Sequence, residues 1–170
     1  TAGALTTGAR NVAVGHDALF LNVSGDDNTA LGMGALYYNT ASDNTAVGKY
    51  ALHANTSGTR NIAIGFDAYK ASDTENDNLA IGYNAMTTNT AGGTQNIAIG
   101  NYAMDAHTSG DKNTAVGYQA LSTNTTAENN TAVGAYSMRD NTIGGNNVAV
   151  GISALKENTE GDNNTSIGNS

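Results

Sequence analysis

The chain has 170 residues with 15 acidic and 7 basic side chains, a net charge of -8, and no cysteine, proline or tryptophan. That charge argues against binding a phosphate backbone, the missing cysteines exclude disulfides and thiolate metal sites, and no apolar run is long enough to span a bilayer. Missing proline is itself a signal: a usage of about 5% would give roughly eight, each removing a backbone donor that a continuous hydrogen-bonded ladder needs.

A short arc at Ala4-Leu5 comes first, and the first full unit opens at Asn11. The unit is an asparagine, a β-branched or aliphatic residue, alanine (serine once), an aliphatic residue and glycine. It returns at Asn28, Asn44, Asn61, Asn78, Asn96, Asn113, Asn130, Asn147 and Asn164, at intervals of 16 to 18 residues. The glycine holds in every copy, from Gly15 to Gly168. An Ala-Leu or Ala-Met pair follows, as at Ala18-Leu19 and Ala85-Met86, and then a second asparagine at Asn22, Asn39, Asn55, Asn89, Asn124, Asn141 and Asn158. Departures fall in order along the chain: the unit from Asn28 is one residue short, Tyr69 and Ser72 alter the next but one, and the unit from Asn78 is one residue long. His107 then replaces the second asparagine, and Ser137-Met138 replaces the Ala-Leu pair.

A fixed period of this kind means one structural unit stacked on copies of itself. Within each unit the residues on either side of the alanine point to one face of an extended segment and the alanine to the other. Glycine ends the segment at a bend where a Cβ would not fit. The expected fold is all-β: a parallel β-solenoid, or β-roll, of about ten 17-residue coils stacked at about 4.8 Å, forming a single repeat domain over residues 1–170 with no linker or cap. Each coil is expected to contain a strand of about five residues and about four inward apolar side chains. The Ala-Leu arc is left open between a second strand and a single helical turn. Because the pattern runs to both ends, the chain reads as a window of a longer array.

The repeat asparagines are expected to form a structural ladder, tolerating left-handed turn geometry and bonding one another's amides from coil to coil. Burial of so few apolar groups per coil against about 1 to 2 kcal/mol of backbone entropy per residue points to neighbours. If either the alanine or the aliphatic pair faces a symmetry axis, three chains bury a shared core, and a homotrimer is expected.

Segments such as NTAVGYQAL (113–121), NIAIGFDAY (61–69) and NVAVGISAL (147–155) resemble the head repeats of trimeric autotransporter adhesins. They are still more similar to the N-T-A-V-G-x-x-A-L repeats of phage tail-fibre and bacterial surface fibre proteins. The resemblance covers residues 11–168 and implies a left-handed parallel β-roll, trimeric and exposed on a cell or virion surface. The coils here are longer than the roughly 14-residue adhesin-head coils, and fold analogy does not establish function.

The fifth and sixth residues after the asparagine carry an aromatic strip, Tyr50, Phe66, Tyr83, Tyr102, Tyr118 and Tyr136, which either binds sugar rings or packs between coils and chains. Acidic residues collect before the next asparagine, at Asp26, Asp27, Asp43, Asp77, Asp111, Glu128 and Asp162. Calcium needs six to eight oxygens, and a solvated edge is the expectation instead. The threonine row at Thr40, Thr56, Thr90, Thr108, Thr125, Thr142 and Thr159 reads as a corner ladder rather than an ice-binding face. Glycosylation sequons open at Asn22, Asn55, Asn124, Asn129, Asn163 and Asn164. His16, His53 and His107 occupy three different repeat positions, and no metal-ligand or catalytic-triad spacing is present.

No enzyme, metal or cofactor is expected. The expected function is an extracellular structural fibre protein, the shaft or head of a surface filament, with itself as partner as a trimer or filament. The alternative is a glycan- or receptor-binding adhesin or tail fibre. Neither nucleic-acid binding nor membrane insertion is expected.

Overall fold

The structure, a computed structural model, describes residues 7–88 and 92–169. The expectations for the Ala4-Leu5 arc, Asn89 and Thr90 lie outside those residues. Ten strands run in the order β1 (Val12–Val14), β2 (Thr29–Leu31), β3 (Thr45–Val47), β4 (Ile62–Ile64), β5 (Leu79–Ile81), β6 (Ile97–Ile99), β7 (Thr114–Val116), β8 (Thr131–Val133), β9 (Val148–Val150) and β10 (Thr165–Ile167). They form one parallel sheet in sequence order. The described residues contain no helix. Register is the same at every step, with Ala13 beside Ala30, Ala63 beside Ala80 and Ala132 beside Ala149. Each repeat is therefore one rung of a β-solenoid, and nine turns at about 4.8 Å give a rod roughly 43 Å long between first and last strands.

The strands have three residues rather than the expected five because the flanking asparagine and glycine belong to corners. At the glycine corner φ lies in the left-handed region, +134° at Gly15 and +136° at Gly100. A Cβ on Gly100 would sit 2.3 Å from the carbonyl oxygen of Gly117. Stacked glycines let successive rungs approach at this corner, which is why the position never varies.

Inside the coil lie the strand alanine and the Ala-Leu pair. Ala30, Ala46, Ala63 and Ala80 are fully buried, as are Ala35-Leu36, Ala51-Leu52 and Ala103-Met104. That makes three inward apolar side chains per rung rather than four, because both larger residues of each strand face outward. The Ala-Leu arc is neither strand nor helix but a turn whose long residue has left-handed φ, 51° at Leu36 and 49° at Met104. Such geometry costs a non-glycine residue about 1–2 kcal/mol. It is held by bonds to the next rung, such as Leu36 N–H to Ala51 O at 3.1 Å, and by a turn bond from Asn39 N–H to Leu36 O at 3.3 Å. The curl aims Leu or Met into the narrow interior, where it packs in one buried cluster with the strand alanines.

Candidate functional site

The asparagine ladder runs as a buried spine. The Oδ1 of each repeat asparagine accepts the backbone N–H of the next, as from Asn28 to Asn11 at 2.9 Å, Asn96 to Asn78 at 2.8 Å and Asn164 to Asn147 at 2.8 Å. Its Nδ2 donates to a corner carbonyl 13 to 15 residues on, as from Asn28 to Ala41 O at 2.8 Å, Asn61 to Glu75 O at 2.7 Å and Asn78 to Gly93 O at 2.9 Å. The expected amide-to-amide contact occurs at one step, Asn113 Nδ2 donating to Asn96 Oδ1 at 3.3 Å, but the bonds repeated along the column tie the side chain to backbone. Left-handed φ also belongs not to the asparagine but to the residue before it, such as Arg60 (58°) and Asp77 (62°).

The second asparagine caps its own corner. Asn22 Nδ2 donates to Gly25 O at 2.9 Å, and Gly25 N–H returns a bond to Asn22 Oδ1 at 2.9 Å. In this column amides do meet, Asn55 Nδ2 donating to Asn39 Oδ1 at 2.7 Å. The replacements reproduce the function with other atoms. Beside Ser72, the buried Glu75 carboxylate accepts the N–H groups of Asp73 at 2.8 Å and Thr74 at 3.1 Å. The enlarged Tyr69 below it accepts from Asn78 Nδ2 at 2.6 Å through its hydroxyl. His107 Nε2 meets Gly110 O at 2.7 Å while Nδ1 faces Asn124 Nδ2 at 3.2 Å. A neutral ring donating through Nε2–H and accepting at Nδ1 satisfies both contacts, and burial holds its pKa below the usual value.

Three polar rows serve the stack itself. Thr40, Thr108, Thr125 and Thr142 hydroxyls donate to the carbonyl of the residue one rung on, at 2.7 to 3.1 Å. Acidic residues divide into two roles. Asp26, Asp111 and Asp162 accept the N–H of Ala9, Thr94 and Gly145 at 2.7 Å, while Asp27 and Asp77 pair with Arg10 and Arg60 at 2.6 Å. Each guanidinium holds its partner carboxyl below the usual carboxylate range. Among the described residues no group of three or more acidic or histidine side chains is placed to hold a metal ion. Of the sequons, Asn22, Asn55 and Asn124 are fully buried, whereas Asn129 and Asn163 are exposed.

The outer surface carries the candidate site. Outward strand residues form two columns, one aliphatic throughout and one with threonine at Thr29, Thr45, Thr114, Thr131 and Thr165, and Val14, Leu31, Ile62, Ile64, Val133 and Val150 are all 36% exposed or more. Beside them stand rings on consecutive rungs: Phe66 and Tyr83 stacked at 5.3 Å, then Tyr83–Tyr102 at 5.4 Å, Tyr102–Tyr118 at 6.1 Å and Tyr118–Tyr136 at 5.4 Å between centroids. Five of the six expected strip residues therefore form one continuous ladder. Tyr50 stands apart, in edge contact with His53 at 5.1 Å and under the ammonium of Lys70 at 5.2 Å.

No family model, curated protein or solved structure matches the chain. The surface is therefore read from its own geometry. Around Tyr50 lies a groove of about 490 Å³ lined by His16, Asp17, Met33, Gly34, Tyr37, His53 and Lys70. Gly34 opens it, because its counterparts one rung away are Asp17 and Tyr50 and the Tyr50 ring edge lies 2.7 Å from where a Gly34 Cβ would stand. Phe20, stacked on Tyr37 at 5.3 Å, and Tyr38 extend the aromatic floor. The expectation missed this cluster because Phe20, Tyr37 and His53 share the ninth position after the asparagine, which varies freely elsewhere. The one available signal was three rings in three successive repeats. His16 and His53, unrelated in repeat position and two rungs apart, both line this groove.

Proposed function

We propose that the chain is an extracellular structural fibre protein, the shaft or head of a surface filament, which associates with copies of itself through its outer sheet face. The observation that carries this reading is the inversion of side-chain size within the strands, with a small residue inside and, outside, one column of valine, isoleucine and leucine along the whole rod beside a second column shared by aliphatic residues and threonine. Exposed apolar patches on solitary proteins rarely exceed a few hundred Å² and larger ones mark interaction surfaces. Strand alternation requires these positions to point outward, but nothing in a coil held by inter-rung hydrogen bonds requires them to be aliphatic. A trimer about an axis along the rod, as the resemblance implies, and two rods meeting face to face would each cover this face. The extracellular setting rests on the resemblance of the repeats alone. Sedimentation in native buffer tests the reading: an oligomer is expected, and a monomer at high concentration would overturn it.

A second reading, adhesion to surface glycans, is favoured by the groove at Tyr37, Tyr50 and His53 and by the ring ladder. Flat aromatic faces beside Asp17 and Lys70 offer both the stacking and the hydrogen bonds a sugar uses. Glycan-array binding lost on Tyr50→Ser or Tyr83→Ser would support it, and an array without hits would count against it.

A further inference from the structure

Over nine of its ten strands the outward face reads nearly the same in both directions; β10, with Thr165 and Ile167, lies beyond the symmetric stretch. From β1 to β9 the residue after the repeat asparagine runs V-T-T-I-L-I-T-T-V, a palindrome centred on Leu79. The residue two further on runs V-L-V-I-I-I-V-V-V, centred on Ile81, with Leu31 against Val133 as its single mismatch. Identical register at every step means that this symmetry of letters is a symmetry of the surface about β5. From β1 to β9 the inward positions are uniform alanine, and the corner positions outside the strand show no such order. Stacking of rungs does not call for a palindrome, since each rung meets only its neighbours.

We infer that the outer sheet faces of two copies pack against each other as antiparallel rods, related by a twofold axis that runs along strand β5. The inference rests on the reading above that another copy covers this face, and it adds the orientation. Rotation about an axis parallel to the strands keeps strand direction, so each column faces itself and β2 of one copy meets β8 of the other. Thr29 then lies against Thr131 and Thr45 against Thr114, so their hydroxyls bond one another while Ile and Val meet Ile and Val. Rotation about the rod axis instead reverses strand direction and sets one column against the other. Thr29 would face Leu31 and Thr45 would face Val47, burying hydroxyls against methyl groups without partners, which is costly.

In the column before the asparagine, Asp43 on the third rung comes opposite the partner's lysine on the seventh, Lys112 in this numbering, while Asp77, already paired with Arg60 at 2.6 Å, meets its own copy on the axis. Beside the strands, Lys49 comes opposite a ring at position 118 and Tyr83 meets its own copy on the axis. With the aromatic column, the face measures about 43 by 15 Å from strand spacing and rise, near the roughly 800 Å² per partner of a standard interface.

The chain has no cysteine, so disulfide trapping reads the orientation without background. Positions 29 and 131 lie six rungs apart, about 29 Å, and cannot link within one chain. A chain carrying both Thr29→Cys and Thr131→Cys, mildly oxidised, is expected to shift to twice the 17.2 kDa chain mass, while Thr29→Cys alone stays unlinked. Linking between separate Thr29→Cys and Leu31→Cys chains, or a trimer by sedimentation, would overturn the antiparallel pair while leaving self-association standing. A monomer at high concentration would overturn both.

Discussion

Asn113 holds the rung above it at two points: its Oδ1 accepts the backbone N–H of Asn130 at 3.0 Å, and its Nδ2 donates to Ala127 O at 2.7 Å. Both asparagines are fully buried, so neither bond has water as a substitute. Asn113→Ala strands the Asn130 N–H, a buried donor whose loss of partner costs about 1–3 kcal/mol, and leaves Ala127 O only the longer bond from Asn124 Nδ2 at 3.3 Å. The expected result is a clear fall in the denaturation midpoint, larger than for the same change at the exposed Asn163. Equal effects at the two sites would contradict the spine.

Gly100→Ala tests the corner. Its Cβ would stand 2.3 Å from Gly117 O at a φ of +136°, a clash with backbone that no side-chain rotation relieves. The expected cost exceeds the ~1 kcal/mol typical of a point mutation, and hydrogen exchange should quicken first at the rungs of β6 and β7. Gly168→Ala, which meets nothing within 4 Å, is expected to cost less.

His107 gives the stack a pH response. Its ring is fully buried, and burial lowers its pKa from 6.5, so on acidification the unfolded chain takes up a proton before the folded chain does. Stability attributable to this group is therefore complete above about pH 6.5 and declines as pH falls from there toward the folded value. Protonation would also aim a second N–H at the Asn124 amide. His107→Asn, which restores the usual residue, is expected to flatten the midpoint over that window; an unchanged slope would sink the assignment.

Leu79→Lys separates fold from assembly. Leu79 lies at the centre of the outer face, in strand β5 with an inward Ala80. A charge there leaves the rung intact, with a stability change within the ±0.5 kcal/mol usual at surfaces, but puts like charges face to face at the dyad. Loss of the oligomer with an unchanged circular dichroism spectrum is expected.

The rung architecture was legible because each of its requirements recurs: a buried amide, a glycine at one corner, a small residue facing inward. Periodicity alone did not say which face of N-T-A-V-G was inside. The structure places the alanine inside, in one buried cluster with the Leu of the Ala-Leu arc, whose left-handed turn sends it into the coil. The left-handed residues themselves escaped notice because they are chemically unlike one another: Arg60, Asp77 and Gln95 share a backbone conformation and no side-chain property. Similarly, the groove at Tyr37, Tyr50 and His53 depends on one missing side chain, at Gly34, a change that looks trivial in a chain with 21 glycines.

Distances along the rod test the stacking most directly. Spin labels at Asp43, Lys112, Asn146 and Asn163, each just before a repeat asparagine, measured in pairs after dilution with unlabelled chains, report the rise per repeat. The stacked-rung account expects Asp43 to lie about 19 Å from position 112, about 29 Å from 146 and about 34 Å from 163, a constant 4.8 Å per repeat. Distances that alternate, saturate or climb by 10 Å per repeat would contradict it.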